Sequence, residues 1–269
     1  MTDGSQKWKR EAEQAKETMQ PVTKPVEMGL EAALLVIRNG GFTAAAERSL
    51  TNILKGYSTE RVSVVCRLDF IAATRTAGGR SLTFLRRVGP IGVNLARVSA
   101  VTMLAERVAK GEVAVDDLES EFERIRQLPS PYNRWVLIVA AAFTAACFSK
   151  IPGGDLGSLV ISLVAAASGQ FLRSLLQARK VALARVMLIC GALSVMIASV
   201  GLSLGFSQVV PATLIASVIY MVPGLPLIKG FVDVASHKHL FVGIKRIANA
   251  ALLFLALAVA IALTDMLVR

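Results

Sequence analysis

Acidic side chains almost vanish after Arg134: only Asp155, Asp233 and Asp265 follow it, while the other 16 of the 19 Asp and Glu precede it. Histidine is scarcer still. The two that exist, His237 and His239, stand at i, i+2 without a third ligand, a weak metal signal that reads as solvated loop. The three cysteines, Cys66, Cys147 and Cys190, show no metal spacing and no even count for a disulfide framework, so they read as buried apolar thiols. No Gly-rich phosphate loop, serine nucleophile elbow or Cys/His constellation is present, which argues against an enzyme and against an ATP-driven pump carried by this chain alone. No cofactor and no metal are expected. Residues Met1 to Glu27 are polar and charged, without the apolar core of a cleavable signal peptide.

What fills the second half is hydrocarbon. Five uncharged apolar stretches run approximately Trp135 to Ser149, Leu156 to Leu172, Val186 to Leu204, Phe206 to Ile228 and Ile247 to Thr264. A hydrocarbon core about 30 Å thick needs roughly 17 to 20 helical residues, a length that four of the stretches reach. The first falls slightly short, and it reads as a full span using flanking residues, a tilted compromise or a re-entrant segment.

The net charge of +11 invites a nucleic-acid reading, but membrane topology explains it better. The connection between spans two and three carries Arg173, Arg179, Lys180 and Arg185, and that between spans four and five carries Lys229, Lys238, Lys245 and Arg246. The opposite side has Lys150 and Arg269. By the positive-inside rule the amino-terminal region and both basic loops are expected in the cytoplasm and the carboxyl terminus on the periplasmic side.

Ahead of the spans, residues 1–27 are rich in Lys, Glu and Gln and are read as a flexible tail. Residues 28–131 read as a cytoplasmic α+β domain, helix, helix, three-stranded sheet, helix, helix. Met28, Ala32 and Leu35 open a helix that stops at Gly40-Gly41, and a second runs from Thr43 to Leu54. Val62, Val64, Cys66 and Leu68 alternate as a strand, Phe70 to Thr76 is a second, Gly78-Gly79 a hairpin turn, and Arg80 to Val88 a third. The stripe Val101, Leu104, Ala105 and Val108 and the set Leu118, Phe122 and Ile125 mark two further helices. Residues 132–269 form the expected five-helix transmembrane domain.

The most informative local feature is Val222-Pro223-Gly224-Leu225-Pro226-Leu227. Two prolines remove two helix donors, so the fourth span must kink or unwind. Freed carbonyls cannot face lipid; they are satisfied by neighbouring helices in a packing kink, or they line a watery pathway as in many secondary transporters. Pro223, Gly224 and Pro226 are therefore pathway candidates. Lys229 and Asp233, four apart, either pair with each other at the interface or gate a charged solute. Arg173 and Lys150 bracket the second span, with anchoring as the competing reading for Arg173, and Gln170 adds a polar group that simple helix packing also explains.

These residues resemble the threonine/serine exporter (ThrE) family, in its short, split, YjjP-like form. The resemblance covers nearly the whole chain after the tail. It is strongest at Val222-Pro223-Gly224-Leu225-Pro226-Leu227 with Asp233 downstream, and is visible at Arg134-Trp135, at Cys147-Phe148-Ser149-Lys150 and at Gly92-Val93-Asn94. It departs in the first helical hairpin, where Gly40-Gly41-Phe42 and Ala45-Ala46-Glu47 leave only Glu47 charged. The resemblance implies a multi-pass protein of the bacterial inner membrane. It implies one subunit of a two-component exporter of small organic anions such as succinate, partnered by a small YjjB-like membrane subunit in a homo- or hetero-oligomer. A threonine/serine exporter subunit is the alternative within transport; a membrane-anchored enzyme or a scaffold are the alternatives outside it.

Overall fold

A computed structural model of the chain describes residues 24–57, 62–77, 80–179 and 181–268. The chain divides into two compact units, one built from residues up to Pro131 together with Asp233–Val242, the other from Tyr132–Val232 and Gly243–Arg269.

In the first unit, helix α1 covers 24–38 and α2 covers Thr43–Gly56. The helix is already wound four residues ahead of Met28, inside the segment whose composition reads as a tail, because Val26 finds a fully buried place in the core. Residues 1–23 of that tail lie outside the described residues. The end of α1 follows from its two glycines. Gly41 N–H donates to Val36 O at 2.8 Å and Gly40 N–H to Ile37 O at 3.0 Å, a Schellman closure whose left-handed residue is Gly40, φ 80°. A Cβ on Gly41 would meet Val36 Cγ1 at 2.4 Å, so the close turn needs both glycines for different reasons.

Strands β1 (Val62–Cys66), β2 (Phe70–Ala77) and β3 (Arg80–Arg87) form one antiparallel sheet with β2 in the middle. Cys66 pairs with Ile71, and Phe70 with Arg87. Cys66, Ile71 and Ala73 are buried while Ser63 and Val65 are exposed, so alternation selects one face for the core. The Gly78-Gly79 turn lies outside the described residues. Helix α3 (Leu95–Ala109) begins at Asn94, whose side chain accepts from Arg97 N–H. After a 3-10 turn at Val115–Asp117, α4 (Leu118–Gln127) buries Leu118, Phe122 and Ile125.

The second unit consists of α5 (Arg134–Phe148), α6 (Leu156–Ala178), α7 (Leu183–Ser203), α8 (Val210–Val218) with a 3-10 turn at Ile219–Met221, most of α9 (Gly224–Ala235), and α10 (Leu240–Val268) from Gly243 onward. Among the described residues, three helices are long and apolar enough to cross a membrane, Leu156–Ala178, Leu183–Ser203 and Leu240–Thr264. A fourth span results if the bent pair Val210–Met221 and Gly224–Ala235 is one crossing; α5 is apolar but shorter. Val186, Met187, Cys190, Val218, Met221 and Leu257 form the unit's interior, while Phe143, Val160, Leu255 and Leu263 point outward. Apolar side chains on the exterior suit acyl chains as solvent. Cys147 is among the outward residues, which corrects the reading of all three thiols as buried.

The helices overrun the apolar stretches that define them. Arg173 lies inside α6, Arg185 inside α7, Lys229 inside α9, and Lys245 and Arg246 inside α10, so of the basic residues assigned to the last connection only Lys238 stands between helices. Helix propagation is set by backbone hydrogen bonding and stops at a cap, not at the edge of hydropathy, and long basic side chains reach the interface from within a helix.

Candidate functional site

The geometry begins at Pro223, which has no N–H to give Ile219 O. Val222 N–H takes that carbonyl instead at 3.1 Å, and Gly224 N–H turns to Val222 O at 2.8 Å rather than back to Tyr220. The two helical halves meet at 70°. Residue 220 thereby loses the donor that a continuous helix would supply four residues on. Arg173 Nη1 replaces it, donating to Tyr220 O at 3.4 Å from α6. Pro226 falls in the first turn of α9, where its missing N–H costs nothing, and a Cβ on Gly224 would meet open space. Sequence reasoning singled out the break and Arg173 separately; the structure joins them through one carbonyl.

Gln170 is half-buried on α6, one turn before Arg173. Lys229 is 3% exposed. Lys150 Nζ donates to Gly154 O at 3.0 Å, closing the loop between α5 and α6 on itself. Asp233, four residues beyond Lys229 on α9, belongs to the first unit: its Oδ2 accepts from Thr43 Oγ1 at 3.0 Å, and both residues are buried. Thr43 opens α2, and the N-cap residue Phe42 offers no side-chain cap. A carboxylate from far along the chain stands where a helix N-terminus favours negative charge.

Next to it lies a cluster built on the histidine loop that sequence reading assigned to solvent. Lys238 Nζ donates to Glu47 Oε1, and His239 Nε2 lies 3.4 Å from Glu47 Oε2. His239 is buried, which corrects the solvated-loop reading for that residue; His237 is exposed. Glu47, Cys66, Arg67, Lys238, His239 and Phe241 line a cavity of about 260 Å³, with the Arg67 guanidinium 5.7 Å from the centre of the Phe241 ring. Burial pushes the Cys66 thiol up to about 12; the Glu47 carboxylate adds to the rise and the Lys238 ammonium opposes it. Among the described residues no three His, Cys, Asp or Glu side chains gather as a metal site.

A second missed group holds the entrance to α6. Asp155 Oδ1 accepts from Ser158 N–H at 2.6 Å and Ser158 Oγ at 2.9 Å, while Oδ2 accepts from Gln208 N–H at 3.2 Å. The Ser158 backbone N–H, then the Ser207 hydroxyl, hold this carboxyl well below the usual carboxylate range. Ser158 in turn meets Ser207 Oγ at 2.8 Å and Thr213 Oγ1 at 2.9 Å, so α6 and α8 share a buried hydroxyl network. An Asp ahead of a helix is a legible cap signal; its reach to Gln208 is not.

Apolar helices with a lipid-compatible exterior define a polytopic membrane protein, and a helix pair broken at Pro223-Gly224 is a feature that many transporters share. The chain belongs to the family described as "Putative threonine/serine exporter", which matches residues 27–268. It is 27% identical over 233 residues to "Probable succinate transporter subunit YjjP" of Klebsiella aerogenes, covering 86% of this chain and 89% of that one. It is 25% identical over 233 residues to the protein of the same name from Escherichia coli K12, covering 86% and 90%. "Probable threonine/serine exporter" of Mycobacterium tuberculosis is 22% identical over 143 residues, 52% of this chain and 27% of that protein. No solved structure matches. The family and these relatives are transporters, and the chain is a membrane transport protein, not an enzyme.

Proposed function

We propose that the chain is one subunit of a two-component exporter in the bacterial inner membrane, moving small organic anions such as succinate and working with a separate small membrane subunit. The observation that carries this reading is the similarity along 86% of the chain to two proteins named as succinate transporter subunits. The Pro223-Gly224 break supports it, because a polar solute needs backbone and charged groups along its route, and Arg173 and Tyr220 O bring one of each together. Gln170 and Lys229 extend the proposed pathway, with Asp233 and Lys150 at its margins. In this reading the amino-terminal unit lies in the cytoplasm and the carboxyl terminus in the periplasm, as the charge bias supports, and α5 is the fifth span.

The test is efflux from cells lacking the endogenous system, with this chain co-expressed with its partner. Succinate should appear outside only when both subunits are present, and Pro223→Ala should reduce the rate at least tenfold. A threonine/serine substrate is the second reading, favoured by the family description and by the mycobacterial relative. Export of threonine without succinate from the same cells would select it.

A further inference from the structure

Arg173 carries five N–H donors and is half-buried on α6, yet its hydrogen bond is the long one to Tyr220 O, and among the described residues no carboxylate stands within ion-pair distance of it. A half-buried guanidinium with one long hydrogen bond keeps donors available for an anion. What holds the carbonyl in front of it is the Tyr220 side chain. Tyr220 Oη lies 3.0 Å from Ser194 Oγ on α7, and Ser194 Oγ lies 3.1 Å from Ala165 O. Ser194 has one proton, and a carbonyl can only accept, so Ser194 donates to Ala165 and Tyr220 donates to Ser194. The phenol fits because residue 169 is glycine: a Cβ there would stand 1.9 Å from Tyr220 Oη and 2.3 Å from Ser194 Oγ. Ala165, Gly169 and Arg173, spaced four apart, thus line one face of α6 as acceptor, notch and cation.

We infer that Tyr220, seated over Gly169 and anchored on Ser194, is the positioning residue that sets Arg173 for the carboxylate of the exported solute. A carboxylate is a stronger and bidentate acceptor than a lone carbonyl, so its arrival takes Arg173 from Tyr220 O. The 3-10 turn that leads into the Pro223-Gly224 break then loses its hydrogen bond from α6. Ligand binding and loosening of the broken helix become one exchange of acceptors. The inference rests on the exporter reading but not on the choice of solute, since succinate and threonine both present a carboxylate.

The test is initial transport rates in proteoliposomes containing the full chain and its partner subunit, with radiolabelled succinate and, separately, threonine. For the transported solute, Arg173→Gln should raise KM at least tenfold and Arg173→Lys less, the retained charge giving partial rescue. Tyr220→Phe and Ser194→Ala should each raise KM about fivefold, the loss falling on KM rather than on maximal rate. The double variant should be no worse than either single one, because both remove the same hydrogen bond. An unchanged KM in Arg173→Gln, or Tyr220→Phe and Ser194→Ala effects that multiply in the double variant, would overturn the inference while leaving the exporter reading intact. Wild-type vesicles that move neither solute would overturn both.

Discussion

Asp155 shows how one carboxylate can organise a helix entrance while remaining at the surface of its unit. Its folded pKa lies below that of an unfolded aspartate, about 3.9, so its contribution to stability is fully present above roughly pH 5 and is lost as pH falls toward the folded value. Thermal unfolding in detergent should therefore show a lower Tm for Asp155→Asn than for wild type at pH 7, with the gap closing as the pH is taken below about 4. Cys66 gives the opposite sign of effect. With its thiol pushed up to about 12, only on the order of one part in ten thousand is thiolate at pH 8, and iodoacetamide should modify Cys66 slowly in the folded chain and readily after unfolding. Beside it, Lys238→Ala should cost less than about 1 kcal/mol because the side chain is 66% exposed. Glu47→Leu should cost about 1–3 kcal/mol, since the buried His239 loses the carboxylate it faces. Chemical denaturation of the two variants side by side checks the ranking.

Helices in this chain are closed at their ends by backbone approaches that tolerate no side chain. A Cβ on Gly157 would lie 1.6 Å from Phe206 O, a main-chain atom that cannot rotate away, so Gly157→Ala should destabilise the second unit by about 3 kcal/mol or more, read as a fall in Tm of the detergent-solubilised chain. The apolar helices and the three strands were legible in the sequence because sustained hydropathy and period-two alternation are properties of single segments. So was the break, since proline lacks the donor wherever it sits. The ends were not. α6 and α10 extend through Arg173, Lys245 and Arg246, whose charges look like loop by composition and are helix by hydrogen bonding. Tyr220 was equally opaque: an aromatic in an apolar run reads as packing until Gly169 and Ser194, 51 and 26 residues earlier, are seen to receive it.

Across the whole molecule, the contacts that escaped the sequence are those of longest separation. Thr43 and Asp233 are 190 residues apart, and Lys238 reaches Glu47 over 191, distances at which neither periodicity nor motif carries information. The family motif identified Asp233 without indicating that its oxygen would be spent on the start of α2. The charge bias along the chain predicted an orientation, and cysteine labelling with a membrane-impermeant maleimide can check it. In cells expressing a variant without Cys66, Cys147 and Cys190, Ser236→Cys should react only after permeabilisation, and Gly153→Cys from outside.

Because Asp233–Val242 completes the unit that begins the chain, that unit cannot finish folding when the ribosome has released its first 131 residues. It must wait, with Thr43 lacking its carboxylate and Glu47 the Lys238 ammonium, until about a hundred more residues, most of them bound for lipid, have been translated and inserted. A nascent chain arrested before Asp233 should accordingly be more protease-sensitive around α2 than one arrested after Val242, which makes maturation of the amino-terminal unit a checkpoint on successful insertion.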